Sequence, residues 1–307
     1  MTADQAAETV LALPTTAPFS FERTLAFVRG FAPTRGQQEA DAGRLVTALR
    51  VDGRTVLATV TASAGAAGAD PASGAPLRAS LRADAPVPSA VASAAADRLT
   101  SWLSLDDDLG PFYALARDDA SFWPVVERLH GYHQVKFPSP WENVVWAILT
   151  QRTPMPVAHR AKQALTEHVG NAIEVDGRTW WAFPDAAQVA ALDPAVLQEL
   201  VGNERKAAHL HGSAQQWTGL DEHALRSAPY AAVREQLLGL PGIGPWSASF
   251  VLIRGLGRTE EVSPDREMLR AASRVYGVAV GEAELARLAE RYGEWAGYWA
   301  HYLRAGS

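Results

Sequence analysis

The chain has 307 residues, 48% hydrophobic and 20% charged, which suits one large or two ordinary globular domains with ample core. No apolar run approaches the roughly 20 residues that span a bilayer, and the absence of cysteine excludes disulfides, Cys-ligated zinc and Cys-held iron–sulfur clusters. With 28 Lys+Arg against 34 Asp+Glu the net charge is −6, so a protein that coats nucleic acid by charge alone is excluded, and any DNA contact must be local and geometric.

Disorder is left open only for the first fifteen residues. The opening MTADQAAETVLALPTTAPF has no basic stretch followed by a sustained apolar one, so a cytoplasmic location is expected. Phe21 to Phe31 has helical apolar spacing, with Phe27 beside the stripe. Leu45–Val51 and Arg54–Thr61 alternate and flank Asp52-Gly53, the pair that favours a type I′ hairpin. A small-residue stretch, ASAGAAGADPASGAP, reads as a loop, and Leu77–Arg82 as a third strand. A helix is predicted from Ser89 to Leu105.

After Asp106-Asp107-Asp108, read as a solvated linker, and Gly110-Pro111, the texture becomes helical. Helices are predicted over 141–151, 157–169, 186–192, 194–201, 205–217, 230–238, 245–255 and 265–275, with a last one over 282–304 that breaks at Gly293. The expected fold is therefore α+β. A small α/β domain with an antiparallel sheet occupies residues 1–112, and an all-helical domain occupies 113–307.

The most informative stretch is LLGLPGIGPWSASF, Leu237 to Phe250. A helix ends near Leu238, Pro241-Gly242-Ile243-Gly244 turns the chain, and a second helix starts with Pro245 at its first position, where the missing N–H costs nothing. Gly242 and Gly244 let backbone approach a partner, and the free N–H groups of the helix start suit an anion such as a nucleic-acid phosphate. Such contacts read phosphate and not sequence. Taken alone, the same residues also serve as a plain helix–hairpin turn. Shortly afterwards SPDREMLRAA opens another helix, with Ser263 expected as its cap, Pro264 at its first position and Asp265 in its first turn. A carboxylate there faces the positive helix end, and for an isolated Asp that alone explains its presence.

The combination LPGIGPWSASFVLIRGLG…SPDREMLRA resembles the helix–hairpin–helix–Gly/Pro/Asp superfamily of DNA glycosylases, and within it the 3-methyladenine DNA glycosylase II branch. The segment FPSPWENVVWAILTQ, Phe137 to Gln151, is similar to the family's Pro-Phe-Glu…Ala-Ile-Leu-x-Gln helix. The resemblance covers about residues 18–304, most specifically in the hairpin at about 230–256. It implies base flipping into a pocket and cleavage of the N-glycosidic bond, with the Asp265 carboxylate stabilising an oxocarbenium-like sugar.

The resemblance also assigns further residues. Trp246 holds the position where strand-cutting relatives carry a nucleophilic lysine, which implies hydrolysis without AP-lyase activity. Its π-face suits a cationic alkylated base, although it also reads as an ordinary core aromatic. Phe250, one turn on, and Phe27, Tyr298 and Trp299 are further base-pocket candidates, each equally readable as core. Arg304 stands where the branch places a last-helix Trp, and this departure bears on substrate range. Gln151 and Arg152 sit at the helix end that enters the minor groove, and Gly242, Ile243 and Gly244 would hold the phosphates. A monovalent Na⁺ or K⁺ on the carbonyls of Leu240 and Ile243 is implied, with no organic cofactor. His209 and His211, spaced i, i+2, cannot share a helical face and are not read as metal ligands.

The expected function is removal of alkylated purines of the 3-methyladenine type from double-stranded DNA by a monomer in base-excision repair. The alternatives are the same chemistry on deaminated or oxidised bases, or a non-catalytic helix–hairpin–helix DNA-binding protein.

Overall fold

The computed structural model describes residues 8–41, 43–63 and 74–306. Most of the small-residue loop expected between the second and third predicted strands lies outside them. Five antiparallel strands form one sheet: β1 (Thr9–Leu13), β2 (Gln38–Asp41), β3 (Arg44–Val51), β4 (Arg54–Ala62) and β5 (Leu77–Arg82), in the order β1-β5-β4-β3-β2. The β3–β4 hairpin turns at Asp52 (φ 46°) and Gly53 (φ 69°), both left-handed as a type I′ turn requires. β1 lies within the opening left open to disorder and pairs Leu11 with Ala79.

Two helices cover one face of this sheet. α1 (Phe21–Gly30) is capped by the Ser20 hydroxyl, which accepts from the Arg23 N–H. α2 (Ser89–Leu103) buries Val91, Ala95, Leu99 and Trp102 against the strands. The chain then runs through α3 (Gly110–Arg117), α4 (Trp123–Arg128), α5 (Pro140–Thr150) and α6 (Met155–Val169). Here the all-helical expectation needs correction, because β6 (Ala172–Val175) and β7 (Arg178–Trp181) form a second hairpin. Its turn is again Asp-Gly, Asp176 (φ 54°) and Gly177 (φ 73°). Ile173 and Trp180 pack on Val46 and Leu57 of the large sheet, which supplies the apolar surface a lone hairpin lacks.

Next come α7 (Ala186–Ala190), α8 (Pro194–Val201), α9 (Glu204–Trp217), α10 (Glu222–Ser227), α11 (Tyr230–Leu238) and α12 (Pro245–Val251). The chain closes with α13 (Arg266–Tyr276), α14 (Glu282–Glu290) and α15 (Ala296–Gly306). α5 is buried along its whole length from Pro140 to Leu149, at the centre of a cluster that includes Leu237, Leu240, Ile243 and Val251. A separate cluster joins α3 and α4 to α13–α15. The predicted break at Gly293 appears as a short 3₁₀ turn, Gly293–Trp295. The helix predicted over 245–255 widens after Val251 into a π turn, Leu252–Leu256, where the Arg254 carbonyl accepts from the Phe137 N–H at 2.7 Å. Among the described residues no helix is long and apolar enough to cross a membrane.

Candidate active site

Asp265 does not lie inside the first turn of α13; it is the N-cap itself. Its backbone is extended (φ −135°), and Oδ1 accepts from the Met268 N–H at 2.7 Å. Ser263 and Pro264 therefore precede the helix, which corrects their assignment as cap and first residue. The second oxygen, Oδ2, accepts from Nη2 of Arg304 at 2.6 Å. One carboxylate is thus fixed at both oxygens while a third of its side-chain surface stays exposed.

This carboxylate borders a cavity of about 570 Å³. Trp246, Phe250 and Phe27 line it, together with Phe31 and Tyr132, which sequence reasoning did not select. Trp246 is 49% exposed, so it is no core aromatic. It stacks on Phe250 with centroids 5.3 Å apart and planes at 12°, and Phe137 meets Phe250 in a T-shaped contact at 5.8 Å. The spacing of one helical turn is what aligns the two rings.

Tyr298 and Trp299 are not among the residues lining the cavity; both are buried in the α3–α4–α15 cluster. The Tyr298 hydroxyl donates to Asp107, and Trp299 stacks on Tyr292 and donates from Nε1 to the Tyr276 hydroxyl. Asp107 is therefore a structural acceptor, and Asp106–Asp108 is not simply a solvated linker. The physical reason is helical phase. Gly297, Ala300, His301 and Arg304 recur on one face of α15 and turn to the cavity, while 298, 299 and 302 face inward.

The electrostatics centre on Arg254, a charged residue in the apolar run SFVLIRGLG that could have drawn attention for that reason alone. Burial lowers its guanidinium to about 10, partly offset by Tyr132 and Tyr298 and reinforced by Arg304. Its Cζ lies 4.8 Å above the Phe27 ring and 5.2 Å from that of Phe31. Burial, with Arg254 and Arg304 nearby, holds His301 well below the usual histidine value of 6.5. Burial likewise pushes the Tyr132 hydroxyl up to about 12.

The hairpin lies beside this cavity, with Leu240 and Ile243 buried and Gly244 exposed. No side chain caps α12, whose N-cap is Gly244, and a Cβ there would meet open space. Gly242 differs: φ is +83°, and a Cβ would come within 2.7 Å of His209. Gln151 was expected at the DNA. Its Nε2 donates to the Gly242 carbonyl at 2.6 Å and ties α5 to the hairpin. Arg152 is exposed just beyond the end of α5, in a left-handed backbone conformation at φ 50°. The Leu240 carbonyl accepts from the Ile243 N–H at 3.1 Å and is a neutral oxygen with a second lone pair. Neutral carbonyl oxygens at Leu240 and Ile243 suit a monovalent cation. Among the described residues no group of three or more His, Cys, Asp or Glu could hold a metal ion.

Residues 145–294 match the family described as HhH-GPD superfamily base excision DNA repair protein. That region belongs to the HhH-GPD superfamily. The chain is similar to a DNA-3-methyladenine glycosylase of Bacillus subtilis (strain 168), 29% identical over 157 residues, 50% of this chain and 52% of that protein. It is also similar to an N-glycosylase/DNA lyase of Saccharomyces cerevisiae (strain ATCC 204508 / S288c), 26% identical over 167 residues, 50% of this chain and 44% of that protein. The chain spans about half the length of these curated relatives. Its fold is that of a 3-methyladenine DNA-glycosylase from Archaeoglobus fulgidus, with a TM-score of 0.76, 21% identity and coverage of 96% of this chain and 97% of that one.

The amines of all three lysines are engaged away from the cavity. Lys136 donates to the Ser104 hydroxyl at 2.6 Å. Lys162 is fully buried against Glu142 at 2.5 Å. Lys206 donates to the Leu149 carbonyl at 2.5 Å and to Thr153.

Proposed function

We propose that this protein is a DNA glycosylase that extrudes an alkylated purine from duplex DNA and hydrolyses its N-glycosidic bond without cutting the strand. The observation that carries the reading is Asp265, held at both oxygens at the mouth of an aromatic cavity beside the hairpin. An extruded base would insert against Trp246, which is half exposed and is backed by the stacked Phe250 ring. As the base departs, positive charge develops on the sugar, and a preorganised carboxylate stabilises it. Arg304 keeps the carboxylate from rotating away, so little reorganisation is needed at the moment of reaction.

The duplex would rest on the hairpin at Gly242, Ile243 and Gly244, with Arg152 entering the minor groove beside it. A monovalent cation on the Leu240 and Ile243 carbonyls would add local positive charge there for a phosphate. The absence of lyase chemistry is supported by Trp246 in the hairpin helix and by the engagement of Lys136, Lys162 and Lys206 elsewhere. The deciding experiment is release of free base from duplexes containing methylated purines. Release with the abasic strand left intact is the expected result. Tight duplex binding without release would move the chain to the non-catalytic alternative.

A further inference from the structure

The last four carbonyls of an α-helix have no partner within its ladder and take donors from elsewhere. At the end of α5 each meets a different donor. The Thr150 hydroxyl reaches the Ala147 carbonyl at 3.4 Å, and the Gln151 N–H reaches that of Ile148 at 3.4 Å. The Thr153 N–H reaches the Thr150 carbonyl at 3.2 Å. The Leu149 carbonyl alone accepts from a distant element, the Lys206 amine of α9, at 2.5 Å. The same amine donates to the Thr153 hydroxyl, which in turn donates to the Gln151 carbonyl at 3.1 Å.

Arg152 sits between these fixed points. On one side Gln151 is tied to the Gly242 carbonyl, and on the other Thr153 is tied to Lys206. A left-handed backbone is uncommon for a residue with a side chain, and it persists where the surroundings over-determine it. Arg152 is itself exposed, so the bonds on either side of it, and not its own packing, set its φ of 50°. α9 also reaches the hairpin. Ser213 Oγ donates to the Pro241 carbonyl at 2.7 Å, and His209 lies where a Cβ on Gly242 would fall. One helix, its start anchored by the Asn203 side chain accepting from the Lys206 N–H at 3.0 Å, therefore spaces the Arg152 turn from the hairpin.

We infer that Lys206 is a positioning residue, which holds the turn 151–153 in the left-handed shape that presents Arg152 to the minor groove before DNA arrives. This rests on the glycosylase reading above, in which Arg152 enters that groove. A side chain already in place fills the space left by an extruded nucleotide without first ordering its backbone. The gain therefore falls on extrusion and the base release that follows it, not on the first encounter with the duplex. The positive amine also lies at the negative end of α5, which favours its place there.

The test is a double-mutant cycle on Lys206 and Arg152. Its readout is single-turnover release of 3-methyladenine and 7-methylguanine from a methylated duplex over a range of protein concentration. Lys206→Met should lower the maximal rate about tenfold, while the half-saturating concentration changes by less than about twofold. On an Arg152→Ala background the same change should lower release by less than about twofold, because the residue it positions is gone. If a melting curve shows that Lys206→Met does not fold, Thr153→Val decides, since it removes only the hydroxyl link. It should lower release in the same direction and likewise lose its effect on the Arg152→Ala background. A wild-type rate in the deciding variant, or a loss that persists in full without Arg152, would overturn the inference and leave the glycosylase reading intact. No release of either base by the wild-type chain would overturn that reading and the inference with it.

Discussion

Nη2 of Arg304 lies 2.6 Å from Oδ2 of Asp265, and the pair, with 38 residues of chain between its members, joins the N-cap of α13 to α15. Both residues line the cavity. Since the other carboxylate oxygen caps α13, the position of Asp265 is set jointly by a helix start and a distant guanidinium.

Asp265→Asn keeps the shape and the cap acceptor but removes the charge. Base release in single turnover should fall on the order of a hundredfold to a thousandfold, with duplex affinity nearly unchanged. Retained wild-type release would remove Asp265 from the chemistry.

Arg304→Leu should separate position from stability. Both partners are about one-third exposed, 36% and 34%, so the lost ion pair should cost at most about 1 kcal/mol in a melting experiment. Release should nevertheless fall about tenfold, because the carboxylate gains freedom it lacked. A loss of melting temperature that accounts for the whole loss of activity would contradict this.

The two hairpin glycines should behave differently. Gly242→Ala forces a side chain into φ +83° and against His209, so it should destabilise the fold by about 1–3 kcal/mol. Gly244→Val meets open space and should leave the melting temperature unchanged. It should still weaken binding to damaged and undamaged duplexes alike, since backbone contacts to phosphate carry no sequence or lesion information. Weakening confined to lesion duplexes would place Gly244 in the base pocket.

Strand cleavage through a Schiff base needs a free amine near the sugar. With Lys136, Lys162 and Lys206 bonded elsewhere, borohydride should trap no covalent adduct during turnover on a lesion duplex. An adduct that vanishes on changing one lysine would overturn the hydrolytic assignment.

His301 provides a stability signature in pH. Its folded form resists protonation well below 6.5, whereas the unfolded chain takes up a proton near that value. Below about pH 6.5 the unfolded state therefore binds more protons, and stability falls as the pH drops. His301→Phe should flatten the decline of melting temperature on the acid side of 6.5, with little change above it. Parallel curves for the two proteins would show that His301 does not titrate on unfolding.

Much of the local architecture was legible in the sequence. Asp52-Gly53 fixes its hairpin because both residues tolerate positive φ, and the spans Pro194–Val201 and Tyr230–Leu238 follow from apolar period and punctuation. The pentapeptide VDGRT at 51–55 recurs at 175–179 and carries the same turn signal, so β6–β7 could have been found by the rule that found β3–β4. Asp265, Trp246 and Phe250 were chosen from two neighbouring segments of one motif, and all three line the same cavity.

What only the tertiary structure decided is which side of each element faces the cavity. Along α15 the sequence offers Tyr298, Trp299, His301 and Arg304 without saying how the helix is rotated. Packing of Tyr298, Trp299 and Tyr302 against α3 and α4 fixes that rotation and leaves His301 and Arg304 toward the site. Arg254 was hidden for a related reason: its surroundings include Phe27 and Phe31 from the far end of the chain, whose ring centroids lie 4.8 and 5.2 Å from its Cζ. Periodicity and turn chemistry act between residues a few positions apart and can be read from the sequence. The environment of a buried charge is set by residues more than two hundred positions away, and only the folded chain brings them together.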